Sequence, residues 1–191
     1  MTRTNTGRPG SSFDHRVGRF TEARAIITAL LRHGQVDFVG ECYTAPECEL
    51  RLRGPRPGGP PVLIGSLRQD PRMLWPVAEQ AGHWNAGLAF ERSHPDRIPP
   101  LREVVDAACL AQGRDLATLA RTVTIRAALR RRTLSIQTPG EEPLQGTPDE
   151  IAVASRTFSR AGIDEMQVWL SPNTPAEIAS FAPVLELLGR A

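Results

Sequence analysis

The sequence contains no lysine, so all 23 of its basic side chains are arginine. Together with abundant Ala, Gly and Pro, this reflects codon supply rather than an arginine-rich recognition surface. Charge of one sign is also lacking. The 21 acidic residues leave a formal net charge of +2, too small a bias to imply a nucleic-acid or membrane partner. Cysteine is scarce: Cys42, Cys48 and Cys109 are an odd number without framework spacing, which excludes a secreted disulfide scaffold and fits a reducing, cytoplasmic setting. Cys42, Cys48 and His33 match no zinc spacing, so no metal is expected. No run approaches the roughly 18 apolar residues of a membrane span, and Met1 to Ser12 have no apolar core of a secretion signal.

What is present is the composition of a globular domain, with 40% hydrophobic and 23% charged residues in 191. Collagen, coiled coil and wholesale disorder are excluded. One domain is the expectation, large enough to bury roughly 70% of the surface of its unfolded chain.

Residues 1–12 hold no large apolar side chain after Met1 and read as a disordered tail. Phe20, Ala23, Ile27, Leu30 and Leu31 then lie on one stripe at helical spacing before Gly34, which predicts a helix over about 14–33. Val36 to Leu52 read as a small hairpin or irregular excursion. The Pro/Gly stretch 54–61 is a turn or loop.

From Val62 the character changes. Val62, Leu63 and Ile64 form a short apolar run suited to a strand buried on both faces. Asp70 and Pro71 suit the cap and first turn of a helix with Leu74, Val77, Ala78 and Ala81 inward and Gly82 as its stop. Further strands are read at His83–Leu88, Thr122–Leu129 and Glu165–Leu170, and a helix over about 98–112. Thr147 with Glu150 has the capping-box pattern of a helix ending at Gly162. Thr174 with Glu177 repeats it and opens a final helix carrying Ile178, Phe181, Val184, Leu185 and Leu188. Strands alternating with helices give an α/β fold with a parallel sheet. A four-stranded parallel sheet is either doubly wound or about half of an eight-stranded barrel. The opening helix, with no strand before it, favours the half-barrel.

The segments Phe13–Ala23, Leu30–Arg32, Pro60–Gly65 and Gly82–Asn85 resemble, in order and spacing, the bacterial luciferase-like monooxygenase family in its coenzyme F420-dependent branch. The resemblance spans about residues 13–188. It implies a partial TIM (β/α)8 barrel, with residues 13–191 as the C-terminal half, about the last four βα units. It also implies a flavin- or deazaflavin-dependent oxidoreductase or monooxygenase, with coenzyme F420 placed ahead of FMN and a small-molecule substrate.

No Ser/His/Asp, paired-carboxylate or metal constellation stands out, so no catalytic residue is named; in such an enzyme the cofactor does the reaction. By family likeness the cofactor contacts are Gly65, Ser66, Trp84 and Asn85, at the strand ends where barrel sites sit. A tryptophan such as Trp84 is more often a barrel or core aromatic than a ring-stacking residue, and Asn85 is the better candidate for a polar contact. Two further groups invite a functional reading: His15 and Arg16 at the helix start, and Arg130 to Arg132 as an anion site or, more simply, a solvated loop. The family's first four strands bring much of the site, so a homo-oligomer or association with a missing N-terminal half is expected. The alternative is a non-catalytic half-barrel that acts through self-association or a partner chain.

Overall fold

The structure is a computed structural model describing residues 16–51, 54–56, 58–65, 71–129 and 141–189. The proposed tail at 1–12, and Ser66, Asp70 and Arg130 to Arg132, lie outside the described residues, as does His15. The chain forms two compact units, 1–60 and 61–191.

In the first unit, helix α1 (Arg16–His33) ends where Gly34 takes φ 80° and donates its N–H to the carbonyl of Leu30 at 2.9 Å. The left-handed turn suits glycine, which has no Cβ to clash. Strands β1 (Gln35–Val39) and β2 (Thr44–Glu49) pair antiparallel, so the excursion is a hairpin. Its turn is tied to α1 by one side chain. The Glu22 carboxylate accepts the backbone N–H groups of Glu41, Cys42 and Tyr43, each at 2.9 Å. The expected apolar stripe of α1 is not a buried one, since Ile27 is 53% exposed and none of its members reaches the core.

The second unit holds the core. It comprises β3 (Leu63–Gly65), α2 (Pro71–Gln80), β4 (His83–Gly87), α3 (Ile98–Ala111), β5 (Ala120–Leu129), β6 (Leu144–Gly146), α4 (Pro148–Arg160), β7 (Glu165–Leu170), α5 (Pro175–Ser180) and α6 (Ala182–Gly189). Every pairing in this five-stranded sheet is parallel. The principal order is β3-β4-β5-β7. Ala127 pairs with Leu170 of β7 on one flank and Leu144 of β6 on the other, so β6 continues the flank that β4 occupies lower down. Among the described residues β3 and β7 each pair on one flank, and the sheet is an open, partial barrel.

Several expectations are corrected. The sheet has five strands rather than four, because the short β6 pairs with the end of β5. β3 is buried on one face only, with Ile64 inside and Leu63 43% exposed. The stretch past Gly87 is a 3₁₀ turn, Leu88–Phe90. The final helix is two helices: Pro183 has no N–H to donate and its ring would clash with the carbonyl of Ala179, so the helix breaks at Phe181. The break leaves Ile178 and Leu185 exposed while Phe181 and Val184 stay buried.

Other readings hold in detail. Leu74, Val77, Ala78 and Ala81 are all buried. The capping box is complete, with Thr147 N–H donating to Glu150 Oε2 at 2.8 Å and Glu150 N–H to Thr147 Oγ1 at 3.3 Å. Arginines from neighbouring segments satisfy carbonyls that helix ends leave open. Arg114 donates to the carbonyls of Val77, Ala78 and Ala81 at 3.0, 3.2 and 2.7 Å at the end of α2. Arg102 reaches Ala161 after α4 at 3.0 Å, and Arg156 reaches Leu187 in α6 at 2.6 Å.

Candidate functional site

Strand register sorts the sheet into two chemically distinct faces, because laterally paired residues of a parallel sheet point the same way. Ile64, Trp84, Val123 and Ile125 fall on one face, and all are buried. Arg121 shares this face and its guanidinium reaches the carboxylate of Asp106, so α3 covers it. The other face carries Gly65, Asn85, Thr122, Thr124, Arg126, Gln167 and Trp169. Its middle is polar, with Asn85, Thr122, Thr124 and Gln167, while Leu63 and Trp169 lie on the same face. The alternation Thr122-Val123-Thr124-Ile125-Arg126 writes both faces into β5.

The polar face is wired across three strands. Asn85 Nδ2 donates to Thr122 Oγ1 at 2.8 Å, and Thr122 Oγ1 donates to the Trp84 carbonyl at 3.2 Å. Thr124 Oγ1 lies 3.1 Å from Asn85 Oδ1 and 2.9 Å from Gln167 Oε1. One hydroxyl proton serves one acceptor at a time, and the half-buried Gln167 gives one of its two N–H groups to Glu165 Oε1 at 3.5 Å, so its carboxamide keeps a second N–H and a lone pair. Asn85, Thr122 and Thr124 are buried, which makes the chain costly to interrupt.

Toward the C-terminal ends of the strands, Arg126 pairs with Glu141, their side chains 22% and 13% exposed. The backbone N–H of Arg126 donates to Ser93 Oγ at 3.0 Å, tying β5 to the loop after β4. Phe90 in that loop meets Trp169 of β7 edge to face, with ring centroids 5.1 Å apart. Both rings are exposed, at 57% and 48%. An open cavity of about 690 Å³ lies at Trp169, lined also by Arg126, Ser171, Asn173 and Ile178 among the described residues. The loop also carries surface ion pairs, Arg92 to Asp96 at 2.6 Å and Arg97 to Glu91 at 2.9 Å. The Arg92 hydrogen bond holds the Asp96 carboxyl below its ordinary range.

The structure brings two of the four expected cofactor residues together. Gly65 and Asn85 are register partners on the polar face. Among the described residues a Cβ at Gly65 would approach nothing closer than the Asn85 carbonyl at 3.8 Å. Trp84 lies on the opposite face, fully buried, and its indole N–H meets no acceptor among the described residues. Ser66 is outside the described residues. Thr122, Thr124, Gln167, Arg126 with Glu141, and Phe90 with Trp169 were not singled out from sequence. The period-two polarity of β5 would have pointed to the first of these; the others depend on pairing between distant strands. Among the described residues no cluster of three or more His, Cys, Asp or Glu side chains is arranged to hold a metal, and no helix is long and apolar enough to cross a membrane.

A partly open α/β barrel with a polar inner face defines the class. The sequence profile of the luciferase-like monooxygenase family matches residues 2–137, and the chain belongs to that family. Solved structures share the fold at low identity. An F420-dependent secondary alcohol dehydrogenase, solved with an F420-acetone adduct, superposes with TM-score 0.72 at 14% identity, covering 93% of this chain. The coenzyme F420-dependent tetrahydromethanopterin reductase from Methanopyrus kandleri gives TM-score 0.70 at 14% identity, covering 91% of this chain. EDTA monooxygenase from Chelativorans sp. BNC1 gives TM-score 0.68 at 11% identity, covering 94% of this chain. The chain spans 63%, 63% and 61% of these proteins' lengths. No curated protein matches the sequence significantly.

Proposed function

We propose that the chain forms part of an oxidoreductase that uses a flavin-type cofactor, coenzyme F420 or FMN, on a small-molecule substrate. Membership of the luciferase-like monooxygenase family carries this reading. The polar face fits such a group. Among the described residues Gly65 leaves space beside Asn85, and the Gln167 carboxamide, which gives one N–H to Glu165 Oε1 at 3.5 Å and accepts from Thr124, has a second N–H and a second lone pair suited to the imide edge of a flavin or deazaflavin ring. Gly65 and Ser66 would admit the cofactor phosphate to backbone N–H groups, and Asn85, held by Thr122 and Thr124, would orient the ring. Trp84 supports β4 from the other side.

When bound, the cofactor supplies hydride or oxygen-transfer chemistry, while the protein contributes orientation and electrostatics. The four principal strands β3, β4, β5 and β7 stand for about half of an eight-stranded barrel, residues 13–191 being its C-terminal portion. Further strands, from an N-terminal half of the barrel or from a second copy, would complete the enclosure that excludes water.

Equilibrium titration of the 191-residue chain with coenzyme F420 and, separately, FMN tests the reading by cofactor fluorescence. Saturable binding near micromolar, about −8 kcal/mol, is expected for one of them. Absence of binding of either up to millimolar overturns it for this chain and favours a non-catalytic half-barrel.

A further inference from the structure

The second-longest strand of the sheet is paired on one side only. β7 runs beside β5 in unbroken parallel register from Glu165 to Leu170, yet among the described residues its other flank pairs with nothing. Burial records the missing neighbour. Met166, Val168 and Leu170 are each only half-buried, although their register partners Val123, Ile125 and Ala127 on β5 are fully buried. On the opposite face Trp169 is 48% exposed. The other edge strand shows the same deficit: β3 pairs only with β4, and its Leu63 is 43% exposed on the face that carries Trp169. Strands of a parallel sheet are normally covered on both faces. Long edges that stay open are blunted by lysine, proline or a bulge. β7 has none of these, and its one charge, Glu165, stands at its first residue.

Strand arithmetic says what fits these edges. Eight parallel strands close a (β/α)8 barrel, and this sheet supplies four principal ones in the order β3-β4-β5-β7. One chain therefore carries both of the edges that closure needs. Two copies related by a twofold axis along the barrel keep every strand parallel, with β7 of each beside β3 of the other, so the same contact forms twice and no edge is left. β7 against β7 of a partner would be antiparallel and would leave both β3 edges bare. We propose that a second copy of this chain is the partner of these edges, giving a closed dimer through reciprocal β7 to β3 pairing. A neighbouring strand then lies alongside Trp169 and Leu63 at each junction. That such a dimer completes a cofactor site rests on the oxidoreductase reading above; the assembly does not.

Analytical ultracentrifugation of the full chain over about 1–100 μM is expected to show a concentration-dependent species of twice the 20.9 kDa chain mass. Leu63→Lys and Trp169→Lys place a charge at one edge each, and each should weaken the dimer by at least about tenfold with far-UV circular dichroism unchanged. Mixing the two variants identifies the pairing. In a mixed dimer one junction carries both lysines and the other carries none, so association should recover part of the loss. Hydrogen exchange needs no substitution: backbone N–H groups of β7 should exchange at least about tenfold more slowly in the dimer than in diluted monomer. Should either variant unfold, that measurement on the unmodified chain decides. A monomer at every concentration would overturn the proposal and leave the edges to strands of another polypeptide. So would open-ended oligomers, a dimer that neither lysine weakens, or one in which β7 exchange is unchanged. A dimer weakened by Trp169→Lys alone would mean β7 meeting β7, and it equally overturns the reciprocal pairing. The cofactor titration is read separately: a dimer that binds neither cofactor defeats the oxidoreductase reading only, and a monomer that binds one defeats this proposal only.

Discussion

Asn85 and Thr122 stand side by side on neighbouring parallel strands, and the Asn85 carboxamide Nδ2 donates to the Thr122 hydroxyl at 2.8 Å. This bond sits in a buried chain that also includes Thr124, so breaking it strands polar groups away from water. Asn85→Leu is expected to destabilise the protein by about 1–3 kcal/mol, measured by urea denaturation. Thr122→Val with Asn85→Leu should cost less than the sum of the singles, because the pair is then replaced by apolar groups.

Trp84 provides a contrast on the same strand. Its ring is fully buried on the apolar face and its indole N–H has no acceptor among the described residues, so Phe loses packing volume but no hydrogen bond. Trp84→Phe should cost about 1–2 kcal/mol in thermal or urea unfolding and leave cofactor affinity unchanged. A loss of cofactor affinity without a loss of stability would instead place Trp84 in the binding site.

Arg114 caps α2 from outside it. Its guanidinium holds the carbonyls of Val77, Ala78 and Ala81 and also that of Thr118, the last at 2.9 Å, so one side chain joins the end of α2 to the turn before β5. Arg114→Ala should lower stability by about 2–3 kcal/mol. Arg114→Lys should recover only part of it, since an ammonium cannot reproduce the planar fork. Thermal melts of the two variants check both statements.

Thiol chemistry should divide by burial. Cys109 is buried, and burial pushes its thiol up, whereas Cys42 is exposed. A maleimide should label Cys42 rapidly and Cys109 only on unfolding. The raised folded value gives the sign of the pH effect. The stabilisation is fully present below the unfolded thiol value of about 8.5 and is lost as pH rises through the folded one. Cys109→Ala should flatten the alkaline fall in the urea midpoint relative to the unmodified chain.

Much of the architecture was legible along the chain. The capping box at Thr147 and Glu150, the stop at Gly34 and the buried stripe of α2 are local: each rests on hydrogen bonds or periodicity within a few residues. The residues at 13–23, 30–32, 60–65 and 82–85 likewise sufficed to point to the family whose profile matches residues 2–137. β6 was not legible, since three residues without apolar alternation become a strand only because the end of β5 offers an unpaired flank.

The candidate site divides the same way. Asn85 and Gly65 were nameable from sequence, but which way Trp84 points is decided by register: a one-residue step along β4 exchanges the two faces of the sheet. Gln167 meets Thr124, Trp169 meets Phe90, and Glu141 meets Arg126 only because parallel strands distant in sequence lie side by side. Sequence by itself determined most of the elements, their order and the family, because those depend on short-range pattern. The polar face and the aromatic-edged cavity were decided by tertiary structure, because each is assembled from strands and loops that only the folded sheet brings together.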